Sequence, residues 1–272
     1  MKKLLILLAV GLIFLTPLLR SKDERKVYDC FMFLNELEIL EIRLNELYKH
    51  VDKFVLVEST RTHRKGETKP LYFEENKKRF DKFSDKIIHI VLDQEIKTDN
   101  PWLRENWERN QIMRGLKGCH DNDLIIISDV DEIIPGSVIN KLKKSIDKEK
   151  VIGFSQKMYR WFFNRYTKCL WAGTAATTFK NLKLYSPQSI RELVREERVA
   201  IWRYGWHFTS MGGYEKNKDK YKSIVEGSDV FLPYEIWRAQ VEGTRLVSIN
   251  KRFPKYIKKN KKYFKKIGFI DE

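Results

Sequence analysis

The sequence predicts an α/β protein: a mixed, mostly parallel sheet flanked by helices. Three observations lead there. Short apolar runs alternate with amphipathic helical stretches, the order that builds βαβ units. The stretch "LIIISDVDEIIP", Leu124 to Pro135, reads as a strand covered on both faces that runs straight into carboxylates. Helix start and stop signals frame the segment before it, with Pro101 at the start and Gly118 past the end.

Taken in order, "VYDCFMF" from Val27 is the first strand. "NELEILEIRLNELYKHV" follows, with Leu37, Leu40, Leu44 and Leu47 on one helical face and charges between them. "KFVLVES" and "KIIHIVLD" are the next strands, and "PWLRENWERNQIMRGLKG" is a helix. After the strand at Leu124, "PGSVINKLKKSI" opens another helix. From Val151 to Gly213 the pattern is less regular. "VIGFSQKMYRWFFN", "TTFKNLKLYS" and "AIWRYGWHF" read as further strands, some of them antiparallel.

The chain has 272 residues and a formal net charge of +16, enough length for one large domain and a charge that favours anionic partners. Cys30, Cys119 and Cys169 have no CxxC spacing, which argues against a zinc site or a disulfide framework. Residues 1–26 form a separate segment. Two lysines precede an apolar run from Leu4 to Leu19, and no small-residue cleavage site follows, so an uncleaved single-pass anchor is expected rather than a signal peptide. Basic residues lie on both sides of the run, so the side of the membrane is open. A domain over 27–250 and a basic tail over 251–272 complete the division. The tail carries nine Lys or Arg between Lys251 and Lys266, suited to an anionic lipid surface or to a solvated face.

The chemistry is expected at the carboxyl ends of the strands, where open α/β sheets bind ligands. Asp129 and Asp131 have D-x-D spacing, and on an extended strand both side chains point one way. They suit a hard divalent cation, Mg²⁺ or Mn²⁺, shared with the phosphates of a nucleotide diphosphate. His207, in "RYGWHFTSMGG", can complete such a site with an imidazole nitrogen. Glu58 ends a strand at the same edge and can bond a ribose or base. One of Arg104 and Arg109, which are five apart and so not on one tight helical face, can grip a diphosphate, and Asn110 can read a base edge. Gly212 and Gly213 mark a turn or a close approach of backbone to substrate.

Several stretches together resemble glycosyltransferase family 17: "YDCFMFLNELEILEIRLNEL", "VDKFVLVEST", "NPWLRENWERNQI", "LIIISDVDEIIP" and "GWHFTSMGG". The resemblance implies a GT-A type, Rossmann-like fold and an inverting transfer from a UDP-sugar, UDP-GlcNAc above all, to a glycan acceptor. It implies that Asp129, Asp131 and His207 hold the metal. Such a transfer needs a base for the acceptor hydroxyl, and Glu132, Glu226 and Asp229 are the candidates. A non-catalytic sugar-nucleotide-binding homologue is the alternative. A basic nucleic-acid-binding protein is a weaker one, since no zinc finger, RNP-type motif or helix-turn-helix is present.

Overall fold

In a computed structural model, residues 24–272 are described. Five strands come from the first half: β1 (Val27–Met32), β2 (Lys53–Ser59), β3 (Ile87–Leu92), β4 (Leu124–Asp129) and the two-residue β5 (Glu132–Ile133). Five follow: β6 (Val151–Arg160), β7 (Arg165–Thr178), β8 (Ala200–Trp202), β9 (Trp206–Thr209) and β10 (Arg245–Leu246). All ten join one sheet in the order β3-β2-β1-β4-β7-β6-β9-β5, with β10 on β7 and β8 on β6. The β3-β2-β1-β4 half is parallel, while β7 runs antiparallel to both β4 and β6. This is the mixed, mostly parallel, helix-flanked sheet that the sequence predicts.

The apolar run of β4 explains why it lies inside. With period-two alternation, Leu124 and Ile126 join one apolar cluster, and Ile125 and Ile127 join the other. The first cluster is closed by helices Leu37–Leu47 and Ile139–Glu149, through residues such as Leu40, Leu44, Leu142 and Ile146. The second is closed by Ile112 and Leu116, in a 3-10 turn, and by Ile190 and Val194 of helix Pro187–Arg195. The helix expected from Pro101 ends at Asn110 and continues as that tighter turn, with Gly118 at φ +87° beyond it.

Two expectations need correction. "TTFKNLKLYS" is not a strand: β7 ends at Thr178, whose hydroxyl caps a helical turn over Phe179–Leu182. The long strand before it, "RYTKCLWAGTAATT", lacks a clean alternation because it is half exposed at its start and fully buried at its end. The tail is also more than a charged surface. Its short helices, Lys255–Lys259 and Lys261–Lys266, bury Ile257 and Phe264, and with Phe253, Phe269 and Ile270 these join the main apolar cluster. The lysines face outward, apart from a half-buried Lys258.

No helix among the described residues is long and apolar enough to cross a membrane. The expected anchor, Leu4 to Leu19, lies outside the described residues.

Candidate active site

β1 has β2 on one side and β4 on the other, so the chain reverses its direction of winding between β1 and β4. A crevice opens outside the carboxyl ends of two such strands. Met32 and Asp129 are paired in register at that edge. The residues just beyond them, Phe33, Leu34, Val130 and Asp131, line a cavity of about 380 Å³, a size ordinary for a small-molecule site.

The two aspartates part company there. The strand ends at Asp129, and Val130 and Asp131 form a turn before β5. The side chains therefore serve different surroundings. Asp129 Oδ1 accepts from Arg109 Nη2 at 3.1 Å, and its Oδ2 accepts from Arg191 Nη2 at 2.5 Å. Burial alone would raise its pKa, but the charges of Arg191 and Arg109 hold it well below the usual carboxylate range. Asp131 lines the same cavity as Asp129 but meets other groups, with Oδ1 3.5 Å from His207 Nε2 and Oδ2 3.8 Å from Lys220 Nζ. The short β5–β9 pairing sets this up: Phe208 N donates to the Asp131 carbonyl at 2.9 Å, and Glu132 is in register with His207.

Glu132 is fully buried beneath the cavity. Its carboxylate accepts from Arg191 at 2.6 and 2.7 Å, Trp171 Nε1 at 2.5 Å, Thr174 Oγ1 at 3.2 Å and Asp129 N at 3.2 Å. Gly173 makes room for this: a Cβ there would fall 2.4 Å from Glu132 Oε1. Burial would raise the Glu132 pKa, and the charge of Arg191 lowers it below the ordinary value. Arg43, also buried, fastens the acidic loop from below. Its Nη1 donates to the carbonyls of Asp129 and Glu132 at 3.1 and 2.8 Å, and its Nη2 to Ser128 Oγ at 2.6 Å. Asp29 anchors the same guanidinium, its Oδ2 accepting from Nε at 2.7 Å.

The remaining expected residues divide. Glu226 lines the cavity. Asp229 does not; it is exposed and paired with Arg64 and Lys65 at 2.8 and 2.7 Å. Glu58 is buried under β2–β3, accepting from Phe73 N and bonded to His89 Nε2, each at 3.0 Å. Arg104 clamps a loop by donating to the carbonyls of His63, Thr98 and Arg64. Asn110 accepts from Gln188 N at 3.0 Å, and Arg109 also bonds Gln188 and Glu105. Thus Arg109 and Asn110 brace the helix that carries Arg191. Gly212 and Gly213 take φ of +100° and +79° where helix Gly213–Tyr221 begins, and a Cβ on Gly212 would crowd Phe269. That helix delivers Lys220. Neither Lys220 nor Arg191 sits in a motif, although Ser186 and Pro187 announce the helix of Arg191 as cap and first residue.

Among the described residues, no three His, Cys, Asp or Glu gather closely enough to hold a metal by themselves. Asp131 and His207 nonetheless offer one oxygen and one nitrogen to the same cavity. One or two protein ligands plus substrate phosphates are an ordinary arrangement for Mg²⁺ or Mn²⁺. Charge favours a cation as well: Glu36 and Asp131 face the single ammonium of Lys220. The residues present therefore fit a divalent ion shared with a diphosphate.

A family model described as glycosyltransferase family 17 matches residues 16–211. A β-1,4-mannosyl-glycoprotein 4-β-N-acetylglucosaminyltransferase of Rattus norvegicus is 29% identical over 117 residues, 40% of this chain and 22% of that protein. The match thus spans about a fifth of the relative's length. Among solved structures, a mannosyltransferase of Pyrobaculum calidifontis in complex with GDP-Man and Mn²⁺ aligns over 74% of this chain and 61% of its own, at 11% identity and a TM-score of 0.44. A glucosyl-3-phosphoglycerate synthase of Mycobacterium tuberculosis aligns over 87% and 92%, at 10% identity and a TM-score of 0.40.

Proposed function

The chain belongs to glycosyltransferase family 17, and from that premise we propose that it moves a sugar from a nucleotide donor to a glycan hydroxyl with inversion at the anomeric carbon. The donor is UDP-GlcNAc in this reading. The observation that carries it is the cavity at the β1–β4 crevice, where Asp131, His207 and Lys220 converge beside an acidic loop pinned by Arg43. Phe33 and Leu34 supply its wall on the β1 side, against which a nucleoside packs. A divalent cation held by Asp131 and His207 would neutralise charge on the leaving diphosphate.

Of the three candidate bases, Glu226 is the one that lines the cavity without being tied up in the buried arginine pair. Its carboxylate takes the proton of the acceptor hydroxyl as that oxygen bonds to the anomeric carbon. The bond from that carbon to the phosphate oxygen breaks, and its electron pair leaves with UDP. Proton removal of this kind contributes about 10²–10⁴ in rate. The apolar run Leu4–Leu19 supports attachment to a membrane as part of the same proposal.

UDP release from UDP-GlcNAc and other UDP-sugars, with and without Mn²⁺, tests the reading. Release that depends on Mn²⁺ and on an added glycan is expected. Glu226→Gln should lower kcat about 10²–10⁴-fold with UDP affinity kept. A chain that binds UDP-sugars and never releases UDP with any glycan is a binding homologue, and one that binds none is neither.

A further inference from the structure

Lys220 is the one lysine among the described residues that line the cavity. It reaches across from helix Gly213–Tyr221 to the acidic side. Its Nζ lies 2.7 Å from Glu36 Oε1 and 3.8 Å from Asp131 Oδ2. The first contact is a full charge-assisted hydrogen bond; the second is beyond hydrogen-bond length and purely electrostatic. Glu36 is itself fixed, since its Oε2 accepts from the Leu34 and Asn35 amides at 3.2 and 3.0 Å. The ammonium is therefore tethered by Glu36 while leaning on Asp131, whose other oxygen faces His207.

We infer that Lys220 is a built-in counter-cation: its ammonium balances Asp131 in the metal-free protein, cedes that carboxylate to an incoming divalent cation, and then faces the donor's diphosphate. The inference rests on the nucleotide-sugar reading of the cavity. Two cations competing for one carboxylate disfavour each other. A diphosphate supplies negative charge to both and relieves the conflict. Metal alone should thus bind weakly, and metal and nucleotide should strengthen each other by the same factor. Such coupling makes a metal-loaded but donor-free site uncommon.

Calorimetry with Mn²⁺ alone, UDP alone and both together tests this in the wild type, Lys220→Met, Lys220→Arg and Glu36→Gln. Lys220→Met should bind Mn²⁺ alone about 5-fold or more tighter, and lose at least about 5-fold of the coupling to UDP. Glu36→Gln should act in the opposite sense on Mn²⁺ alone, because it removes a negative charge and frees the ammonium to close on Asp131. Lys220→Arg should keep the coupling. Unchanged melting temperatures separate these effects from misfolding, and a variant that melts early is replaced by Lys220→Gln. If Lys220→Met leaves both Mn²⁺ affinity and coupling as in wild type, or weakens Mn²⁺ alone, the inference is overturned. If the wild type binds Mn²⁺ and not UDP, the nucleotide-sugar reading falls, while tighter Mn²⁺ binding by Lys220→Met would still uphold the competition at Asp131.

Discussion

Arg191 holds Glu132 by two bonds, Nη2 to Oε1 at 2.6 Å and Nη1 to Oε2 at 2.7 Å, with both side chains buried. The same Nη2 reaches Asp129 Oδ2. This pair sits between the sheet and the cavity, and it sets which acids are free for chemistry. Breaking a buried pair from one side leaves an uncompensated charge, at a cost of about 3–5 kcal/mol. Glu132→Ala is expected to lose stability in that range by urea unfolding, and Glu132→Gln to lose part of it. A Glu132→Gln variant that is as stable as wild type but inactive would make Glu132 the base instead.

Asp129 and Asp131 should respond differently to the same substitution. Asp131→Ala removes the carboxylate that faces His207 and Lys220 at the cavity, so Mn²⁺-dependent UDP affinity should disappear, while the Glu36 contact that remains on Lys220 limits the fall in melting temperature. Asp129→Ala leaves Arg109 and Arg191 with one acceptor fewer, a cost of about 1–3 kcal/mol for groups left unsatisfied. It should lower the melting temperature and weaken nucleotide binding only through the loosened loop. Two variants with matching losses in both measurements would show that the pair acts as one unit.

A pH dependence follows from His63, whose Nε2 lies 2.8 Å from Glu108 Oε2. Burial lowers its pKa, and the charge and hydrogen bond of Glu108, with help from Glu105 and against Arg109, raise it above the ordinary value. A raised folded-state value means the stabilisation is complete below about pH 6.5, the unfolded value. It is lost as pH rises through the folded value. The urea midpoint of Glu108→Gln should therefore fall furthest behind wild type in mild acid, and the gap should narrow in alkali. A gap independent of pH would mean that His63 stays neutral throughout.

The first half of the fold was legible because its strands are short, apolar and bounded. β4 carries four apolar residues in a row, and its acids fall at an edge where α/β sheets bind ligands. What lay hidden depended on distance along the chain. Nothing in the local pattern says that Arg43 reaches the carbonyls of Asp129 and Glu132, or that Arg191 meets Glu132 across 59 positions. The D-x-D spacing suggested two parallel carboxylates with the same task; after the turn at Val130 they line one cavity with different partners. Arg104 and Asn110 carried the right chemistry for a nucleotide, yet both are consumed by backbone and cap contacts. The charge of the tail masked its apolar face, since single buried residues among lysines give little periodicity over such short helices.

That tail supports the last prediction, because its two faces make separable contributions. Phe264 is 1% exposed and its ring meets Phe163 at 5.1 Å and Phe269 at 6.1 Å. Tyr256 Oη donates to Glu41 Oε1 at 2.6 Å, tying the segment to helix Leu37–Leu47. The Phe269 carbonyl accepts from Phe163 N at 2.9 Å, just past the end of β6. Removing a buried phenylalanine costs about 3–5 kcal/mol, so Phe264→Ala should destabilise the whole domain rather than release a free tail. Replacing Lys259, Lys261, Lys262 and Lys266 with Gln alters the outer face, where each change is worth within about 0.5 kcal/mol. That quadruple variant should unfold like wild type while binding anionic vesicles less tightly, with a weaker dependence on salt. Vesicle binding equal to wild type would leave the lysines as a solvated surface. A Phe264→Ala protein with an unchanged unfolding midpoint would show that residues 251–272 do not belong to the core they pack against.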